Sequence, residues 1–246
     1  MTRKNILLTG ISRGLGLDIA KALLSDPCVE YHVYGISRSK TKELEHLIEQ
    51  YPNRLQWMSY DLSDSDNVLK VIFKQFIGMD TPLHGYVNNA AIAYDDIVTN
   101  LRLKPLQAMY QVNVFTPMIM TKYVIRHFLL HNTPGSIVHL SSISVHTGYK
   151  GLAMYASSKG ALEAFSKNTA REWGERGVRS NALVAGFMET DMSSTLTPDQ
   201  KDRIYKRTSM KRPTTTASVA ATIKFLLSDE AASITAQNIH VDSGTI

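Results

Sequence analysis

A short apolar run, Asn5-Ile-Leu-Leu-Thr9, passes directly into a glycine turn, Gly10-Ile-Ser-Arg13-Gly14-Leu-Gly16, and then into an amphipathic stretch that continues to about Ser25. Strand, glycine turn and helix in that order are what a phosphate-binding turn requires. The glycines allow a tight turn and close approach of the backbone to a pyrophosphate, and the helix N-terminus supplies free N–H groups and positive dipole. The spacing is G-x-x-x-G-x-G rather than G-x-G-x-x-G, and a glycine turn before a helix also serves as a merely structural loop. What gives it weight is its place at the head of a chain whose strand-like and helix-like segments alternate, the pattern of an α/β fold on a parallel sheet.

That alternation runs through most of the 246 residues. Strand-like runs occur at Tyr31 to Ile36, Leu55 to Tyr60, Leu83 to Val87, Ser136 to Ser141, Val178 to Val184 and Asn238 to Val241. Helical patterns fall between them, including Lys40 to Gln50, Lys104 to His131 with Pro117 marking a kink, Leu152 to Trp173, and Thr216 to Leu227. From Gly186 to about Arg212 the alternation stops. This insertion carries Phe187, Met188, Met192, Leu196, Ile204 and Met210 among polar residues and reads as a mobile substrate lid, or else as an extra surface helix. No repeat, linker or low-complexity tract divides the chain, so 1–246 reads as a single domain.

Tyr155 and Lys159 are four apart in the helical run, on one face, and Ser142 stands thirteen residues before Tyr155. A cation beside a phenol lowers its pKa, which makes Tyr155 a candidate general acid/base for an alcohol or carbonyl oxygen. Ser142 follows a strand, at the end where open α/β sheets place ligands, and its hydroxyl can reach the same oxygen. Asn113 is a polar amide inside a helix, either a satisfied buried amide or a residue with a job. The second strand ends in Ser37-Arg38 with no Asp or Glu. An acidic residue there would bind a ribose 2′-OH, whereas Arg38 and Arg13 suit a 2′-phosphate, so the cofactor expected is NADP(H). Asp61 suits an adenine amino group or a helix cap, with Ser63 or Asp64 as alternative N-caps. Asn89-Ala90-Ala91 has the small residues that let a backbone pass close beneath a cofactor.

Other functions find less support. The basic residues behind the net charge of +5 are dispersed, with no run of five or six, so nucleic acid is not expected. No apolar run approaches a membrane span, and the N-terminus shows no signal-peptide pattern. The single cysteine, Cys28, excludes an internal disulfide and fits a reducing cytoplasm. His127 and His131 are four apart on a helix but lack a third ligand of suitable spacing, so no metal is expected.

Together, Thr9-Gly10-x-x-x-Gly14-x-Gly16, Asn88-Asn89-Ala90, Asn113, Ser142 and Tyr155-x-x-x-Lys159 resemble, in order and spacing, the short-chain dehydrogenase/reductases, from about Asn5 to Gly244. Within that family, Ala185-Gly186-Phe-Met-Glu-Thr-Asp-Met192 and Leu227-Ser-Asp-Glu-Ala-Ala232 look most like the 3-oxoacyl-acyl-carrier-protein reductases. The resemblance implies a Rossmann-type α/β fold, a doubly wound parallel seven-stranded sheet with helices on both faces, and usually a homotetramer. It implies that Tyr155 donates a proton to a ketone oxygen, that Ser142 positions that oxygen, and that Lys159 lowers the Tyr155 pKa and holds the nicotinamide ribose. Asn113 would anchor a water linking Lys159 to solvent, and Thr190 would bind the nicotinamide carboxamide. The cofactor contacts expected are Gly10, Ser12, Arg13, Gly14, Leu15 and Gly16 in the turn; Arg38, Asp61 and Leu62 on the adenosine side; and Asn89, Ala90, Ala91, Tyr155, Lys159, Gly186, Met188 and Thr190 around the nicotinamide half.

The chain departs from the pattern at Ala91, where the family has glycine, at Ala185, where it has proline, and at Asp242-Ser243-Gly244, where it has Asn-Gly-Gly. Of two basic residues that meet an acyl carrier protein in the reductases, Arg176 matches one; the other falls near His131 to Thr133, where no Arg or Lys stands. The function expected is NADPH-dependent reduction of a ketone, the 3-oxo group of an acyl thioester first, in fatty-acid or polyketide-type metabolism. Another alcohol or ketone (sugar, steroid or small xenobiotic) and a non-catalytic dinucleotide-binding protein are the alternatives.

Overall fold

The structure is a computed structural model that describes residues 2–190 and 197–245; Met192 and Leu196 of the expected lid lie outside these. Seven strands, β1 (Thr2–Thr9), β2 (Val29–Ser37), β3 (Leu55–Ser59), β4 (Gly85–Asn88), β5 (Gly135–Ser142), β6 (Val178–Ala185) and β7 (Asn238–Val241), form one sheet in the order β3-β2-β1-β4-β5-β6-β7. Every neighbouring pair is parallel. The inner strands are buried on both faces, which explains why β1 and β5 read as apolar runs rather than alternating ones.

Alternate residues of each strand feed separate cores. Ile6, Leu8, Val87 and Val138 face α1 (Gly14–Leu24), α2 (Lys42–Gln50) and α8 (Thr216–Leu227), whereas Leu7, Tyr86 and Ile137 face a π-helical segment at Leu69–Ile77 and the helix of Thr116–Leu130. The expected helix of Lys104 to His131 is three pieces: α3 (Leu103–Tyr110), a π-helical turn at Gln111–Phe115, and α4 (Thr116–Leu130). Pro117 has no N–H to offer the carbonyl four residues earlier, that of Asn113, so the regular ladder fails there and the turn widens. A short α5 (Ser144–Thr147) precedes α6 (Ala153–Trp173), which packs on β5 and β6 and touches the π-helical turn. Within the insertion, α7 (Pro198–Arg207) starts with a capping box in which Thr197 and Gln200 satisfy each other's backbone N–H groups.

The strand order reverses between β1 and β4. Chains leaving their carboxyl ends turn to opposite sides, which opens a crevice at that point. Among the described residues, no helix is long and apolar enough to cross a membrane.

Candidate active site

A cleft of about 440 Å³ opens at this switch point. Its floor is the glycine turn. Gly10 has φ +75, and a Cβ on Gly16 would sit 2.0 Å from the Gly10 carbonyl oxygen, so any side chain there would displace the turn. Asn89, just beyond β4, donates its side-chain amide to the carbonyls of Thr9 (3.0 Å) and Gly10 (3.2 Å), while Thr9 Oγ1 accepts the N–H groups of Asn89 (3.1 Å) and Ala90 (3.2 Å). Those bonds tie the end of β4 to the turn, and α1 begins beside the cleft at Gly14, with no side-chain cap on its first turn. Ser12, Arg13, Gly14 and Leu15 complete this wall, with Ala90 and Ala91 beside it.

One end of the cleft is bounded by Arg38, Asp61 and Leu62. Asp61 Oδ1 accepts the N–H of Ser63 (2.9 Å), and its carboxyl is held below the usual range by that bond first, then by the Ser63 hydroxyl and the Arg38 guanidinium. Asp61 therefore both caps a turn and faces the cleft. Asp64 instead accepts the N–H of Asn67 (3.2 Å), a cap on the turn that leads into the π-helical segment. Arg13 and Arg38 are exposed at the rim.

At the other end lie Tyr155, Lys159, Met188 and Thr190. Lys159 is buried, and its Nζ donates to the Leu140 carbonyl at 2.7 Å and stands 5.8 Å from the centroid of the Tyr155 ring. Burial pulls the Lys159 ammonium down to about 8. The Tyr155 phenol is pushed up to about 12, by burial first and by the Asp95 carboxylate second, opposite to the shift expected from the lysine alone. Removing the phenolate from water costs more than a cation at this distance returns. Tyr155 thus keeps its proton at neutral pH beside an ammonium that is mostly charged.

Asn113 does not line the cleft. It is buried in the π-helical turn, where its Oδ1 accepts the Ile92 N–H (2.9 Å) and its Nδ2 donates to the Ile92 carbonyl (2.9 Å) and to Ser158 Oγ (3.1 Å). Its side chain clamps the loop after β4, and its carbonyl is the one that Pro117 leaves without an α-helical donor. Ser142 closes β5 next to the cleft residue Ser141, and its Oγ accepts from the N–H (3.2 Å) and hydroxyl (3.0 Å) of Ser144. Gly186 has a packing reason instead of a place in the lining: a Cβ there would come within 2.5 Å of Asp242 Cα and Thr214 Oγ1.

Several cleft residues escape sequence reasoning. Ala108 and Val112 reach it from α3 and the π-helical turn, Ile92 from the loop after β4, and Ser141 from β5. Small and apolar side chains carry no chemical signal in a sequence, and only the folding of distant elements together assembles them. Among the described residues, no group of three or more His, Cys, Asp and Glu could hold a metal ion.

A family model described as enoyl-(acyl carrier protein) reductase, one of the short-chain dehydrogenase/reductase models, matches residues 10–245. The chain belongs to the short-chain dehydrogenase/reductase family. It is an oxidoreductase of a family that uses nicotinamide dinucleotides. Among curated relatives, the 3-oxoacyl-[acyl-carrier-protein] reductase FabG of Chlamydia pneumoniae is 30% identical over 241 residues, covering 98% of this chain and 96% of the relative. FabG of Salmonella typhimurium is 30% identical over 98% of this chain and 96% of its own length. Nodulation protein G of a Rhizobium species is 29% identical over 99% and 97%. A solved structure described as a putative gluconate dehydrogenase from Agrobacterium tumefaciens superposes with a TM-score of 0.89 at 21% identity, over 98% of this chain and 95% of that one, which shows the shared fold.

Proposed function

We propose that the protein reduces a ketone to a secondary alcohol with NADPH, most specifically the 3-oxo group of an acyl thioester. The observation that carries this reading is the buried Lys159 Nζ, held by the Leu140 carbonyl and 5.8 Å from the Tyr155 ring at one end of the cleft, with two exposed arginines at the other. NADPH would supply the hydride. The residues fit such a cofactor: a turn too tight for side chains, a helix N-terminus, and guanidiniums for a phosphate dianion. Tyr155 gives its proton to the carbonyl oxygen as negative charge develops there, and Ser142 orients that oxygen with its hydroxyl. Lys159 holds positive charge beside the phenol and stabilises the phenolate left behind. Asn113 keeps the loop after β4 in place.

The acyl substrate is supported by relatives named for 3-oxoacyl groups on a carrier protein, so an acyl carrier protein is the partner we propose, with exposed Arg176 as one contact. The 186–212 segment is proposed as the lid over the substrate: Glu189, beside Thr190, accepts from Tyr205 of α7 (2.6 Å) and pairs with Lys201. The test is NADPH oxidation with an acetoacetyl thioester, with NADH and a Tyr155→Phe variant as controls. Rapid turnover that prefers NADPH and is lost in Tyr155→Phe is the expected result. Tight NADPH binding without thioester turnover would discard the acyl substrate and leave a reductase of another ketone. Failure to bind either nucleotide would discard the reading.

A further inference from the structure

One buried carboxylate near the cleft has no part in the roles above. Glu163 lies on α6, four residues beyond Lys159, and is almost fully buried. Its Oε1 accepts from Ser141 Oγ (2.5 Å) and from His146 Nε2 (3.1 Å), and its Oε2 accepts from Asn238 Nδ2 (2.6 Å) on β7. A buried carboxylate without partners is very unfavourable, whereas one that accepts three hydrogen bonds is a rigid junction. The junction has a particular place. Ser141 immediately precedes Ser142, and His146 belongs to α5, the turn that begins two residues after it. The His146 ring is braced in turn against His240 of β7, with ring centroids 4.9 Å apart.

Ser142 thus sits between two points that a single side chain ties to the helix bearing Tyr155 and Lys159. Its own hydroxyl is held by Ser144, inside the same anchored turn. We propose that Glu163 is a positioning residue of the reductase centre, fixing Ser142 relative to Tyr155 through Ser141 and His146. This rests on the reading of Ser142 as the hydroxyl that orients the ketone. A glutamine at 163 would keep the shape but remove the charge and one acceptor oxygen, so Ser141, His146 and Asn238 could no longer all donate to it and the junction would loosen.

The test is a double-mutant cycle of Glu163→Gln and Ser142→Ala, with reductase kcat, KM and NADPH dissociation constant measured for each protein. Because small misplacements at a reacting centre cost large factors, Glu163→Gln should lower kcat about ten-fold while NADPH affinity stays within about two-fold. In the Ser142→Ala background the same substitution should change the residual rate by less than about two-fold, because the group it positions is gone. An equal loss in both backgrounds, or no loss in the single variant, overturns the proposal. If Glu163→Gln does not fold, His146→Ala removes one donor at a partly exposed site and is judged by the same non-additivity. Full activity in Tyr155→Phe would instead sink the reductase reading itself, so the two failures are distinguishable.

Discussion

Arg38→Ala perturbs the feature on which the choice of NADPH over NADH rests. Arg38 is exposed at the cleft rim just after β2, on the far side of the cleft from Tyr155, so its removal leaves the acid/base end intact. A charge-assisted bond to a phosphate contributes roughly 1.5–3 kcal/mol, and exposure with the Asp61 carboxylate nearby places Arg38 at the low end. About 1.5 kcal/mol is about a ten-fold rise in the NADPH dissociation constant, and Arg13→Ala adds a similar factor if the two act independently. NADH has no 2′-phosphate, so its affinity should move less than about two-fold. Removing the positive field of Arg38 also means that the variant's NADPH affinity should depend less on salt than that of the wild type. Fluorescence titration with each nucleotide at two ionic strengths reads all of this without knowledge of the substrate. Equal loss of NADPH and NADH affinity would refute the reasoning and make Arg38 a general phosphate or structural contact.

Two further predictions concern the acid/base end and its support. Reduction needs the Tyr155 proton, retained up to about 12, and the Lys159 charge, lost as pH rises through about 8; kcat/KM for NADPH at saturating ketone should therefore fall above about pH 8, and a flat profile to pH 10 would contradict the assignment. Asn113→Ala takes away the side chain that pairs both backbone groups of half-buried Ile92, so urea unfolding should show a loss of about 2 kcal/mol at unchanged slope, while a loss under about 0.5 kcal/mol would mean that the clamp is not needed.

Local chemistry made much of this protein legible from residue order. The turn needs glycine at 10 and 16, where a Cβ would collide with its neighbours, and at 14, where φ is +54, and strands buried on both faces spell themselves as apolar runs. The spacing of Tyr155 and Lys159 puts them on one helical face whatever surrounds them. Elements bounded by such signals, such as α8 and β7, fall where the residue pattern places them. Other properties are collective. The sign of the Tyr155 shift depends on how much water reaches the phenol and on Asp95, sixty positions away, so a lysine at i+4 could not determine it. The π-helical turn at Gln111–Phe115 needed Pro117 and the packing around Asn113 together. Glu163 gains its role only from groups on β5, α5 and β7 that fold around it. Residue order determined which groups carry the chemistry; the tertiary structure decided their protonation and alignment, because burial and hydrogen-bond partners come from segments far apart in the chain.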